Sequence, residues 1–347
     1  MHGLTAMHLS LLCLDQFRRE QVSKPQISRK KIAILNDYQG VALSMADWSA
    51  LQKETEVVVF REPFANEREV IAALADFDVI CVMRERTPLT REILRSLPKL
   101  RLIASTAQSN SSIDVKTASE LGITIAWTEH LPYGTTELVW GLILSAIRRI
   151  PAEVQSFRTG GWQTSVGQDI SGRTLGIVGL GNFGKAVARV GQAFDMRVIA
   201  WSPNLDPEMA KGLGVEAVSK QSLFEDSDIV TLHMVLSERT KNIVGSAELD
   251  CMKSHAWLIN ASRSGLVDQS ALITALDMKQ IAGAALDVYD EEPVPADHPY
   301  REMGNVIATP HIGFVTEDTY RLFYSQTVEN IESWLKGMLV RETVAAG

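Results

Sequence analysis

Short apolar runs alternate with amphipathic stretches along most of the chain. Lys31–Asn36 opens the ordered pattern with a basic residue and then a strand. Strand-like runs recur at Glu56–Phe60, Val79–Met83, Leu102–Ser105 and Ile123–Ala126, with helical patterns at Glu67–Ala75, Thr90–Leu97 and Asp114–Leu121 between them. Strands that alternate with helices and lack polar alternation of their own predict a parallel sheet covered on both faces. Tyr133–Ile150 reads as one long helix, capped by Thr135 or Thr136 and stopped by Pro151. Its Leu138–Leu144 segment is apolar beyond the needs of one buried face. A second alternation follows, with strands at Leu175–Val178, Arg197–Trp201, Val215–Val218, Ile229–His233, Trp257–Asn260, Ile281–Leu286 and Val306–Thr309. The last helix spans Glu317–Lys336 and is expected to pack back on the first unit. The pattern predicts two units: 31–128 plus 318–343, and 129–317.

Composition narrows the possibilities. The 347 residues are 46% hydrophobic and 22% charged with a net charge of −8, as for ordinary globular chains with ample core. Without a dense basic block, nucleic acid is not expected as a partner. The most apolar helix candidate is too short for a bilayer, so no membrane is expected either. Three separated cysteines suggest a reducing, cytoplasmic setting. Residues 1–30 fit neither a secretory signal nor a transit peptide, and read as a disordered extension.

The chemistry starts at Gly179-Leu180-Gly181-Asn182-Phe183-Gly184, directly after a strand and directly before a helical run. That context is what a dinucleotide fingerprint requires: a tight turn, a backbone open to the pyrophosphate, and a helix packed close to its strand. The helix N-terminus adds unpaired N–H groups. Polar residues at later strand ends come next, because ligands of open α/β sheets bind there. Arg263 follows Trp257–Asn260 and offers a fork of donors to a carboxylate. Taken alone it reads as a solvated loop arginine. Asp287 ends a small-residue strand before the acidic run to Glu292. His311 closes the strand before Gly313, and His233 closes another. An imidazole titrates near the working pH of a general acid, and a carboxylate beside it favours its charged form. Glu292, 19 positions before His311, is that neighbour if the two turns face each other.

Together these motifs resemble the D-isomer-specific 2-hydroxyacid dehydrogenase family. The match rests on Gly179–Gly184, on Asn260 with Arg263, Gly265 and Val267-Asp268, on Asp287-Val288-Tyr289 with Glu292-Pro293, and on Thr309-Pro310-His311-Ile312-Gly313, and it covers roughly residues 31 to 340. The alternation and the resemblance imply an α/β fold of two Rossmann/flavodoxin-like domains with parallel sheets and a cleft between them. The resemblance implies that Arg263 holds a substrate carboxylate, that His311 exchanges a proton with the keto oxygen, and that Glu292 orients His311. It implies a dinucleotide on Gly179, Gly181, Asn182, Phe183, Gly184, Ser202, His233, Ala261 and Asp287, with Asp287 on the nicotinamide carboxamide. The implied substrate is a small 2-keto or 2-hydroxy acid, with Gln108, Ser109 and Asn110 as further contacts and Arg84 either lining the same cleft or lying in a solvated loop. The family's use of the Tyr133–Ile150 region implies a homodimer.

Two departures matter. Many members have Gly-x-Gly-Val-Asp where this chain has Ala107-Gln108-Ser109-Asn110. This loop has no basic residue, which argues against a phosphorylated substrate. Ser202 stands where an acid commonly binds the ribose of NAD, so the cofactor is NAD or NADP. The other functions weighed are a corepressor-like regulatory protein on the same scaffold and a formate dehydrogenase. The latter branch has Gln where Glu292 stands.

Overall fold

The structure, a computed structural model, describes residues 29–338 and 341–343; the predicted extension lies almost wholly outside them. The first unit runs β1 (Lys30–Ile34), α1 (Ser49–Glu54), β2 (Thr55–Val59), α2 (Glu67–Leu74), β3 (Val79–Val82), α3 (Arg91–Arg95), β4 (Leu102–Ser105), α4 (Val115–Glu120) and β5 (Thr124–Trp127). Its five strands are parallel in the order β2-β1-β3-β4-β5. Every side chain of β3 and β4 is buried, which is why those strands read as apolar runs, with Ser105 the polar end of β4.

Two helices, α5 (Tyr133–Ile147) and α6 (Ile150–Arg158), lead to the second unit. This unit comprises β6 (Thr174–Val178), α7 (Asn182–Ala193), β7 (Arg197–Trp201), α8 (Pro207–Gly212), β8 (Glu216–Ala217), α9 (Lys220–Asp226), β9 (Ile229–Leu232), α10 (Ser246–Cys251), β10 (Trp257–Asn260), α11 (Gln269–Asp277), β11 (Gly283–Leu286) and β12 (Val306–Ala308). Its seven parallel strands are ordered β12-β11-β10-β9-β6-β7-β8. The order reverses between β6 and β9, so a crevice opens at their carboxyl ends.

The helix expected from Tyr133 to Ile150 is α5, which stops at Ile147, and a second helix, α6, starts at Ile150. Arg149 takes a left-handed φ of 52° and breaks the run, and Pro151 lies in the first turn of α6. Proline is tolerated there because its missing N–H has no intrahelical partner to lose. Neither threonine caps α5: its N-cap is Pro132, and the Thr135 hydroxyl instead donates to the Gly313 carbonyl at 3.2 Å.

Helix α12 (Glu317–Leu335) returns to the first sheet, where Tyr320, Phe323, Tyr324 and Ile331 share a core with Ile32, Cys81, Leu102 and Ala126. The chain therefore crosses between the units twice, and the crossings are stitched together. The Gln326 side chain accepts from the Glu129 backbone N–H at 2.7 Å. A Cβ on Gly134 would meet the Gly313 carbonyl oxygen at 2.9 Å. Beyond α12, Arg341 and Thr343 exchange backbone hydrogen bonds with Trp127 and Ile125 along β5.

Candidate active site

A cavity of about 710 Å³ lies where the carboxyl ends of the two sheets face each other. Arg84, Glu85 and residues 107–111 line it from the first unit; Phe183, His233, Ala261, Arg263, Asp287 and His311 line it from the second. The sequence places these residues in the same cavity because each follows the end of a strand. Several of those ends use left-handed backbone: φ is 53° at Arg84, 65° at Ala107 and 52° at His311. Such values cost a residue with a Cβ about 1–2 kcal/mol, so the surrounding bonds have to hold them.

The glycine turn has the geometry a dinucleotide needs. Gly179 has a φ of 99°, and a Cβ there would meet the His233 carbonyl oxygen at 2.7 Å. A Cβ on Gly184 would collide with the Gly179 carbonyl, so α7 packs against its strand only with glycine at that position. Around Gly181 a Cβ would meet nothing within 4 Å, which leaves open space beside the N-terminus of α7. These features fit a pyrophosphate next to the first-turn N–H groups of Asn182, Phe183 and Gly184. His233, at the end of β9, bonds the Thr231 hydroxyl at 2.9 Å, and burial holds its imidazole down to about 4.

The strand-end histidine and the acidic-run glutamate are paired. His311 Nδ1 and Glu292 Oε2 are 2.6 Å apart, so the two turns do face each other. The other Glu292 oxygen accepts from the Tyr289 backbone N–H at 2.9 Å, which fixes the carboxylate. His311 Nε2 is left as the ring nitrogen without a bond among the described residues. The Phe314 ring meets the imidazole edge-on at 5.7 Å.

Asp287, at the end of β11, lines the cavity and is held by three bonds. One oxygen accepts from the Thr309 hydroxyl at 2.7 Å and the Ile312 N–H at 2.8 Å, and the other from the Gly313 N–H at 2.8 Å. It holds the turn that carries His311. Burial pushes its carboxyl up, against those three bonds and the nearby His311.

On the facing wall, Asn110 also has a structural task. Its amide donates to the Arg84 carbonyl at 2.7 Å, and its oxygen accepts from the Ser112 N–H and hydroxyl. Gln108 and Ser109 are exposed at the cavity. The backbone N–H groups of Gln108, Ser109 and Asn110 carry no bond among the described residues. Arg263 is already engaged: one guanidinium nitrogen donates to the Ser262 carbonyl at 2.7 Å, and another to Glu85 at 3.0 Å. Glu85 was not singled out in the sequence, where a lone glutamate between two arginines carries no signal. Another residue outside linear reach is Lys220. Pairing of β7 with β8 brings its ammonium 5.7 Å from the Trp201 ring, and it donates to Glu248 at 2.8 Å.

The model of the D-isomer specific 2-hydroxyacid dehydrogenase, NAD binding domain, matches residues 140–313. The chain belongs to that family. A glyoxylate reductase of Korarchaeum cryptofilum is 36% identical over 279 residues, which span 78% of this chain and 84% of the relative. D-3-phosphoglycerate dehydrogenase of Methanocaldococcus jannaschii is also 36% identical, over 80% of this chain, but the match spans only 54% of that longer protein. The phosphoglycerate oxidoreductase structure from Vibrio cholerae superposes with a TM-score of 0.85 at 33% identity, covering 89% of this chain and 99% of the other. Family membership accounts for the two parallel sheets and for a dinucleotide-binding second unit. No helix among the described residues is long and apolar enough to cross a membrane, and no group of residues suited to a metal ion occurs among them.

Proposed function

We propose that this protein interconverts a small 2-keto acid and the corresponding D-2-hydroxy acid with a nicotinamide dinucleotide. The observation that carries the reading is the 2.6 Å His311–Glu292 pair, which shares one cavity with Arg263 and the glycine turn. Arg263 and the free N–H groups of Gln108–Asn110 hold the substrate carboxylate from opposite walls. Bound at the glycine turn, the dinucleotide supplies the hydride for the carbonyl carbon. His311 gives the proton on Nε2 to the carbonyl oxygen and takes it back in the reverse direction. Glu292 keeps Nδ1 protonated and balances the positive ring. Asp287 acts at one remove by holding the Thr309–Gly313 turn.

The dinucleotide is NAD or NADP. Ser202 presents no carboxylate to repel a 2′-phosphate, so we propose that NADP is tolerated. A large kcat/KM preference for NADH over NADPH overturns that choice. The function itself is tested by a reductase screen over glyoxylate, hydroxypyruvate, pyruvate and phenylpyruvate with each cofactor. Turnover of at least one is expected. No turnover of any returns the protein to the regulatory reading.

We also propose a homodimer, now through α6 instead of α5. Helix α5 is covered on the second sheet, whereas Phe157, Trp162 and Val166 on and after α6 are 69%, 75% and 91% exposed.

A further inference from the structure

The mechanism leaves Glu85 without a task, although it lines the substrate end of the cavity. Its carboxylate lies 3.0 Å from Arg263 and 3.6 Å from Arg84, through the same oxygen. Its side chain is 22% exposed. Burial alone would raise the carboxyl; Arg84 and Arg263 overcome burial and hold it below the usual carboxylate range. Glu85 is therefore a resident anion beside the guanidinium meant for the substrate.

We propose that Glu85 is a specificity-determining residue: it matches the site to 2-keto acids with one negative charge and rejects those with a second anionic group, such as a phosphate or a distal carboxylate. The proposal rests on the keto-acid reading above. Two guanidiniums and one carboxylate leave a single net positive charge in this cluster. A substrate monoanion neutralises it. Arg263 can serve that carboxylate while Glu85 leans on Arg84, already 3.6 Å away. A second anionic group meets no free cation in the cluster and faces Glu85 directly. Asp287, the other acid lining the cavity, is saturated by Thr309, Ile312 and Gly313, and Glu292 is held by His311 and Tyr289. Exclusion by an unmatched like charge is selection against the wrong partner, independent of any added contact with the right one.

The test compares substrates that share a reacting end: hydroxypyruvate with 3-phosphohydroxypyruvate, and pyruvate with oxaloacetate. In Glu85→Gln the dianion-to-monoanion ratio of kcat/KM is expected to rise about tenfold or more, the scale of a removed like-charge contact. Glu85→Asp, which keeps the charge, retains the wild-type ratio. A ratio in Glu85→Gln that stays near the wild-type value, or a wild-type enzyme that prefers the phosphorylated substrate, overturns the proposal. Binding of glycolate and of phosphoglycolate to the dinucleotide complex, followed by tryptophan fluorescence, gives the same ratio without turnover. If wild type reduces no 2-keto acid, that binding ratio still decides: a shift in Glu85→Gln supports the role of Glu85 while the keto-acid reading falls, and no shift removes both.

Discussion

At the scale of residues, the site separates groups that act from groups that hold. His311 keeps Nε2 without a bond among the described residues, and Glu292 grips its other side. A positioned general acid contributes ~10²–10⁴-fold in rate, so His311→Ala should lower kcat by that order while the dinucleotide still binds. Near wild-type turnover would sink the assignment. His233 offers a different measurement. Its imidazole is held at about 4 in the folded protein, against an ordinary value of 6.5. Between those values the unfolded chain takes the proton and the folded chain does not. Stability is therefore lost as pH falls from about 6.5 towards 4, and the effect is absent above that window. Melting temperature against pH should fall less steeply through the window in His233→Asn than in wild type. Glu85 and Lys220 mark the limit of reading single residues in a row. Nothing in the order of amino acids shows that Glu85 meets Arg263, 178 positions away. Nor does it show that a two-residue strand delivers Lys220 to Trp201.

At the scale of elements, the strands were legible because a doubly covered parallel strand is largely apolar, and β3, β4, β6 and β9 are buried at every position. The polar residues at their ends also gather around one cavity, where fold and motif agree. Helix ends were less readable. Proline inside a helical pattern serves equally as the end of one helix and the first turn of the next, and the left-handed Arg149 that decides between them has no signature. Asp287 was visible as a strand-end acid, but its three partners depend on how the Thr309–Gly313 turn folds back, which spacing does not encode. The glycine turn permits a sharper test, because its glycines have separable duties. Gly184→Ala forces a Cβ into the Gly179 carbonyl and should lower the melting temperature, with an expected cost of ~1–3 kcal/mol for an overpacked contact. Gly181→Ala fills open space, so it should weaken dinucleotide binding with little change in melting temperature. If both variants lost stability equally, the open space at Gly181 would not be a ligand's place.

At the scale of the whole molecule, two sheets meet at their chemical ends and the crossings between them run side by side. Thr135 bonds Gly313, and Gln326 bonds Glu129, so a closing motion would pivot on these paired segments. Closure would bring the Gln108–Asn110 wall towards His311 and exclude water from the reacting atoms. Outside the cleft, the apolar side chains of α6 need cover. Light scattering at micromolar concentration should report a dimer, and Phe157→Glu should shift it to monomer without unfolding it. A wild-type monomer would remove the dimer.

The return of α12 to the first sheet also sets an order of assembly. Cotranslational folding proceeds from the N-terminal side, yet the first sheet lacks Tyr320, Phe323 and Ile331 from its core until the last helix leaves the ribosome. The second sheet has all of its strands by Ala308. The unit translated first is thus completed after the second, and while residues 128–335 are made the nascent chain carries a half-covered apolar sheet, the stage at which a chaperone has the most to hold.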